Sequence, residues 1–134
     1  MIKFLTVNPE TFFNSINRTK KHKEFLTINP VNEYKKTKTF LNKKNNSGYA
    51  ITPNNEIISL FNNSGIKGLG RGALNDAIKN GGDNLNCFDG FLAEFYKSEG
   101  FIETHRIKFD KLYAPKNWNY KKYGQPDLVF LTLK

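Results

Sequence analysis

The feature that most constrains this chain is a strand, a run of glycines and a helix laid end to end. Glu56-Ile-Ile-Ser-Leu-Phe61 is apolar and β-prone, and Gly65-Ile-Lys-Gly-Leu-Gly-Arg-Gly72 follows it. Ala73, Leu74, Ala77 and Ile78 then recur at helical spacing. A short strand (84–88) and a second helix running into Ala93-Glu-Phe-Tyr-Lys-Ser-Glu-Gly-Phe101 close the stretch. Glycines between a strand and a helix N-terminus let several backbone N–H groups approach one anion, and the helix dipole adds partial positive charge at the same point. The loop is therefore expected to hold a phosphate, with Lys67 and Arg71 as further cations. It is not a Rossmann loop, because more than fifty residues precede it where that fingerprint follows the first strand. Nor is it a Walker A loop, because Gly72 is followed by Ala73 and not by Lys-Ser/Thr.

The stretch resembles the GNAT superfamily of acyl-CoA-dependent N-acyltransferases. Their pyrophosphate loop runs Gln/Arg-x-x-Gly-x-Gly/Ala, and Gly68-Leu69-Gly70 fills its glycine positions, continuing through Arg71 and Gly72 into a helix. Their second signature, Asn-x-x-Ala-x-x-x-Tyr before a Gly-Phe helix stop, is approached by Asp89, Ala93 (displaced by one), Tyr96, Gly100 and Phe101. The two occur in the family's order. Without the resemblance, the same residues read as turn glycines, core aromatics at helical spacing and an αL helix stop.

The resemblance implies a site. Backbone groups of the strand before the loop, near Leu60, Phe61 and Asn62, would polarise a thioester carbonyl. Gly65, Lys67, Gly68, Leu69, Gly70, Arg71 and Gly72 would hold the pyrophosphate of acetyl-CoA, and Asp89 would lie along its pantetheine arm. Tyr96 would protonate the departing sulfur, and Glu56 would serve as general base, with Glu103 and His105 as other bases in reach. The loop from Asp110 to Gln125, with Tyr113, Trp118 and Tyr120, would border the acceptor; its aromatics alternatively pack on their own sheet. Two departures stand out. Gly65 occupies the Gln/Arg position, and Asp89 replaces an Asn whose amide it cannot imitate as a donor; it is instead suited to cap the helix starting near Gly90.

The totals fit a folded domain. At 134 residues the chain is expected to be one GNAT-like domain over 1–134, with a core that needs neither metals nor disulfides. A single cysteine excludes an internal disulfide and suits a reducing compartment, so a cytoplasmic location is expected. No apolar run is long enough to cross a bilayer, and no signal-peptide core is seen at the N-terminus. Two scattered histidines and one cysteine give no metal-ligand spacing. Residues 1–44 hold ten lysines and arginines against three acids, and the remainder eleven against nine. That basic first third suits an anionic cofactor, an acidic protein or nucleic acid contacted through residues 18–44; a solvated basic face is the plainer account. The Lys- and Asn-rich composition would suit a phage or mobile-element protein.

Along the chain the pattern predicts a strand over 2–6 and a helix capped by Asn8-Pro9-Glu10 and running to about Asn17. A short second helix falls either over 24–28 or after Asn29-Pro30. Strands over 37–41, 48–52 and 56–61 form a meander, with a turn at 53–55. The glycine loop and its helix, the strand 84–88 and the next helix follow. Strands over 102–109 and 128–133 end the chain, the last without alternation and so expected to be buried on both faces. The fold class is α/β: a mixed, largely antiparallel sheet of about six to seven strands flanked by helices. The expected function is transfer of an acetyl group from acetyl-CoA to a primary amine of a protein or small molecule. The alternative is an inactive fold of the same kind used to bind protein or nucleic acid.

Overall fold

A computed structural model describes residues 3–19, 26, 28–44, 46–63, 68–114 and 118–134. The chain divides into two compact units, Met1–Asp83 and Asn84–Lys134. Among the described residues there are seven strands and five α-helices.

The first unit holds β1 (Leu5–Val7), α1 (Pro9–Asn17), α2 (Val31–Tyr34), β2 (Lys38–Asn42), β3 (Ser47–Ile51), β4 (Ile57–Asn62) and α3 (Leu69–Lys79). Its sheet runs β1-β2-β3-β4 with every pair antiparallel. The α1 start is the one the sequence predicts: Asn8 caps it, its Oδ1 accepting from Thr11 N–H at 2.8 Å, with proline next. The first strand lies later than expected, at Leu5–Val7, and Ile2 is outside the described residues. Of the two placements for a second helix, the one after Pro30 holds; Glu24, Phe25 and Thr27 of the other lie outside the described residues.

Side chains directly opposite in an antiparallel pair share a face. Leu41, Ala50, Ile58 and Phe61 thus face one way and meet Phe12, Ile16 and Tyr34 in the buried core. Phe40 and Tyr49 stack on the other face, at 4.9 Å between ring centroids, and α3 packs on β3 and β4. Covered on both faces, β3 is buried at all five positions.

The second unit holds β5 (Asn84–Phe88), α4 (Phe91–Ser98), β6 (Phe101–Ile107), a 3-10 turn at Lys111–Tyr113, α5 (Tyr120–Tyr123) and β7 (Leu128–Leu133). Its sheet runs β5-β7-β6, again antiparallel throughout. The last strand corrects the expectation of two buried faces. Val129 and Leu131 are buried, while Leu128, Phe130 and Thr132 are only half-buried. Its unbroken apolar run reflects its central place between β5 and β6 instead.

Candidate active site

The strand before the glycine loop is bent by a bulge that the sequence does not announce. Gly48 pairs with Phe61 and Ala50 with Ile58, so Tyr49 alone faces both Ser59 and Leu60. Ser59 sits at φ 53°, in the left-handed region where a serine costs roughly 1 kcal/mol or more. A hydrogen bond fastens it: Ser59 Oγ and Tyr34 Oη lie 2.8 Å apart, and Asn29 N–H donates to the same phenol at 3.0 Å. Tyr34 is fully buried, its ring edge-on to Phe12 at 4.9 Å. The bulge therefore rests on a fixed post. Of the three positions expected to act through main-chain groups, Leu60 is within the bulge and half-buried, Phe61 is anchored in the core, and Asn62 pairs with Ser47. β4 is the edge of its sheet.

Gly65 and Lys67 of the expected phosphate loop lie outside the described residues. The rest is described. Gly68 is at φ 87°, a turn only glycine makes without strain, and α3 starts at Leu69 with no side-chain cap bond. The first intrahelical bond is Gly72 N–H to Gly68 O at 3.1 Å, so the N–H groups of Gly68, Leu69 and Gly70 precede it. A Cβ at Gly68, Gly70 or Gly72 would meet no described atom within 4 Å. Packing against the described residues thus gives no reason for glycine at 70 and 72, although glycine in a helix costs about 1 kcal/mol against alanine. Close approach of an external group is a sufficient reason, and a phosphate fits the donors present. Leu69 is buried and Arg71 exposed.

Farther along, α3 is tied to β3 by a contact that sequence reasoning missed. Tyr49 Oη donates to Asp76 Oδ2 at 2.5 Å and accepts from Asn80 Nδ2 at 2.9 Å. Burial, reinforced by the Asp76 bond, pushes the Tyr49 phenol well above its ordinary value. Asp76 and Asn80 are one helical turn apart, a spacing visible in the sequence, but nothing there marks Tyr49 as their partner. Glu56, the expected base, stands half-buried at the entry to β4, its N–H donating to Thr52 Oγ1 at 3.1 Å; burial raises its carboxyl.

In the second unit Tyr96 is a buried residue of α4, 7% exposed, with Phe95 and Phe101 beside it. Burial, and then the nearby Cys87, raises its hydroxyl so that it keeps its proton through the neutral range. Cys87 is pushed up to about 12, chiefly by burial, and is an inert thiol.

Asp89 does not cap α4, as the sequence suggested. Gly90 holds the cap position without a side-chain bond, and Asp89 is drawn instead to Arg106 at 3.2 Å. The same guanidinium holds Glu103 through two bonds of 2.7 Å and Asp127 at 3.1 Å. Arg106 lies seventeen residues from Asp89, so only the fold could reveal the pairing. Its hydrogen bonds hold the Glu103 carboxyl at about 2, which makes Glu103 a poor base and removes it from the candidates. His105 is exposed on β6, its ring 5.5 Å from that of Phe130.

Of the three expected acceptor-loop residues, Trp118 is buried and serves as the loop's anchor. Its Nε1 donates to Gly124 O at 3.0 Å, and its ring lies 4.8 Å from Phe88 of β5 and 5.1 Å from Tyr123. Tyr120 is partly exposed and edge-on to Phe109 at 5.8 Å. The Tyr113 side chain lies outside what the structure describes. Among the described residues no group of three or more His, Cys, Asp or Glu side chains is placed to hold a metal ion, and no helix is long and apolar enough to cross a membrane.

The sequence matches no protein-family model and no curated protein. The fold does have a solved counterpart. It is similar to the crystal structure of a ribosomal-protein-alanine N-acetyltransferase from Brucella melitensis, with a TM-score of 0.53 at 12% identity, over 96% of this chain and 97% of that one. The chain thus has a GNAT-like α/β fold.

Proposed function

We propose that a chain with this fold is an N-acetyltransferase, moving an acetyl group from acetyl-CoA to a primary amine of a protein or small molecule, with residues 1–134 as one GNAT-like domain in a reducing, cytoplasmic setting. The observation that carries the proposal is the start of α3 at Gly68, Gly70 and Gly72, which no described side chain caps and no described atom obstructs, within a fold similar to that of an N-acetyltransferase.

Acetyl-CoA supplies an activated thioester and two linked phosphates. N–H groups of Gly68, Leu69 and Gly70, with Lys67 and Arg71, bind the pyrophosphate. Main-chain groups at the β4 bulge, near Leu60 to Asn62, polarise the thioester carbonyl, and the Tyr34–Ser59 bond keeps them in place. Tyr96, protonated at neutral pH, holds the proton that the departing sulfur needs. Glu56, whose carboxyl burial raises toward the working range of a base, takes the proton of the amine. The aromatic loop around Trp118 borders the acceptor.

One feature favours a second reading, a silent relative that binds protein or nucleic acid. The Asp89 carboxylate, standing where the family has an amide, is occupied by Arg106. The exposed Lys35, Lys36, Lys38, Lys43 and Lys44 would then supply a salt-sensitive basic face.

Titration calorimetry with acetyl-CoA decides between the two. Saturable binding that disappears in a Gly68→Glu/Gly70→Glu variant is the expected result. A folded wild-type protein that does not bind acetyl-CoA overturns the acetyltransferase reading. In the active protein, Tyr96→Phe lowers turnover by about a hundredfold or more while leaving binding in place; wild-type turnover in that variant removes Tyr96 from its role.

A further inference from the structure

β6 is the outer strand of the β5-β7-β6 sheet, and its residues from Ile102 to Ile107 are all exposed. Outer strands carry a row of unmatched N–H and C=O groups, and proteins commonly blunt them with charges or bulges. β6 has both, yet it also leaves two isoleucines open, Ile102 at 48% and Ile107 at 47%. Their placement becomes intelligible through the bulge. Glu103 pairs with Leu131 and His105 with Phe130, so Thr104 is the extra residue. Ile102, His105 and Ile107 consequently share one face, and Phe101, Glu103 and Arg106 share the other.

With Thr104 set aside, the strand reads Ile102, Glu103, His105, Arg106, Ile107, and its two halves match about His105: glutamate against arginine, isoleucine against isoleucine. A second copy laid antiparallel about a two-fold axis at His105 sets Glu103 beside the partner's Arg106 and Ile102 beside the partner's Ile107. Each such pair lies on one face of the joined sheet. Glu103 and Arg106 are already paired within the chain, so these four charges alternate in sign around the axis, with Lys97 beside each Glu103 and Asp89 and Asp127 beside each Arg106. A contact in which one patch meets itself closes after two copies.

We infer that β6 joins two copies of this chain edge to edge, giving one continuous six-stranded antiparallel sheet, β5-β7-β6 and its two-fold mate. The interface is small and its affinity correspondingly modest. It stands independently of the acetyltransferase reading.

Sedimentation equilibrium over a concentration series tests the inference. The wild-type mass rises from 15.4 kDa toward twice that value as concentration increases. Glu103→Arg and Arg106→Glu each set like charges opposite one another and weaken association by at least about tenfold. An equimolar mixture of the two variants recovers the dimer, because the arginine introduced in one meets the glutamate introduced in the other. That recovery is not expected of a merely misfolded variant. Circular dichroism checks both folds. Should either variant not fold, Ile107→Lys, at an exposed position, decides: a monomer supports the interface and an undiminished dimer overturns it. A wild-type protein that stays monomeric up to about 1 mM, or single charge variants that dimerise as the wild type does, or a mixture of folded variants that stays monomeric, also overturns it.

Discussion

The single residue on which most of the first unit's site geometry depends is Tyr34. Its phenol is the buried post for Ser59, a non-glycine residue held at positive φ, and the same oxygen takes the Asn29 N–H. Tyr34→Phe keeps the ring against Phe12 and removes only the hydroxyl. Stability should fall by about 1–2 kcal/mol in denaturant unfolding, because the Ser59 hydroxyl and the Asn29 N–H lose a shared partner. A loss below about 0.3 kcal/mol would mean that the bulge stands without it. In the second unit the corresponding residue is Arg106. It holds the Glu103 carboxyl at about 2, below the ordinary range near 4.3. A carboxyl lowered in the folded state contributes stability above its unfolded pKa and loses it as pH falls. Acid titration followed by circular dichroism should therefore show stability declining between about pH 4.5 and pH 2, and Glu103→Gln should flatten that decline. An identical profile in the variant would show that the Arg106 pairing does not favour the folded state.

At the level of elements, the glycines around α3 carry opposite expectations although they are neighbours. Gly72 is helical with open space where a Cβ would go, so Gly72→Ala should raise stability by about 0.5–1 kcal/mol, or roughly 2–4 °C in melting temperature. Gly68 is at φ 87°, so Gly68→Ala should lower stability by about 1 kcal/mol or more. Two thermal melts check both signs. If Gly72→Ala also weakens acetyl-CoA binding, the helix start is shaped for its ligand at the expense of its own stability. These elements were largely legible in the sequence because their signals are local: the Asn8-Pro9 cap, the glycine run before α3, and the apolar run of β7. What was not legible depends on residues far apart. No sequence cue marks Ser59 as a bulge residue, since serine seldom takes that conformation and its support comes from Tyr34, twenty-five positions away. Asp89 has the sequence position of a helix cap, but its partner Arg106 is seventeen residues away, and whether Trp118 packs on its own sheet, one of two sequence alternatives, depends on Phe88, thirty residues before it. The two-sided burial predicted for β7 failed for a related reason: an apolar run does not distinguish a strand covered on both faces from one paired on both edges.

For the whole molecule the governing quantity is charge. Net +9, concentrated in the first 44 residues, favours encounter with anions at a distance, and salt screens that attraction beyond a Debye length of about 8 Å at physiological ionic strength. Stopped-flow association of acetyl-CoA should slow several-fold as salt rises from about 0.05 to 0.5 M. A salt-independent rate would mean that the basic segment plays no part in capture. The packing of Trp118 has a further consequence, because this chain has one tryptophan. All indole emission originates in the loop between β6 and β7, from a ring that is 6% exposed and surrounded by Phe88, Phe109 and Tyr123. Excited near 295 nm, the unmodified protein is thus its own single-site optical probe: its colour and intensity register any change in that one segment, and no engineered label is needed to follow it.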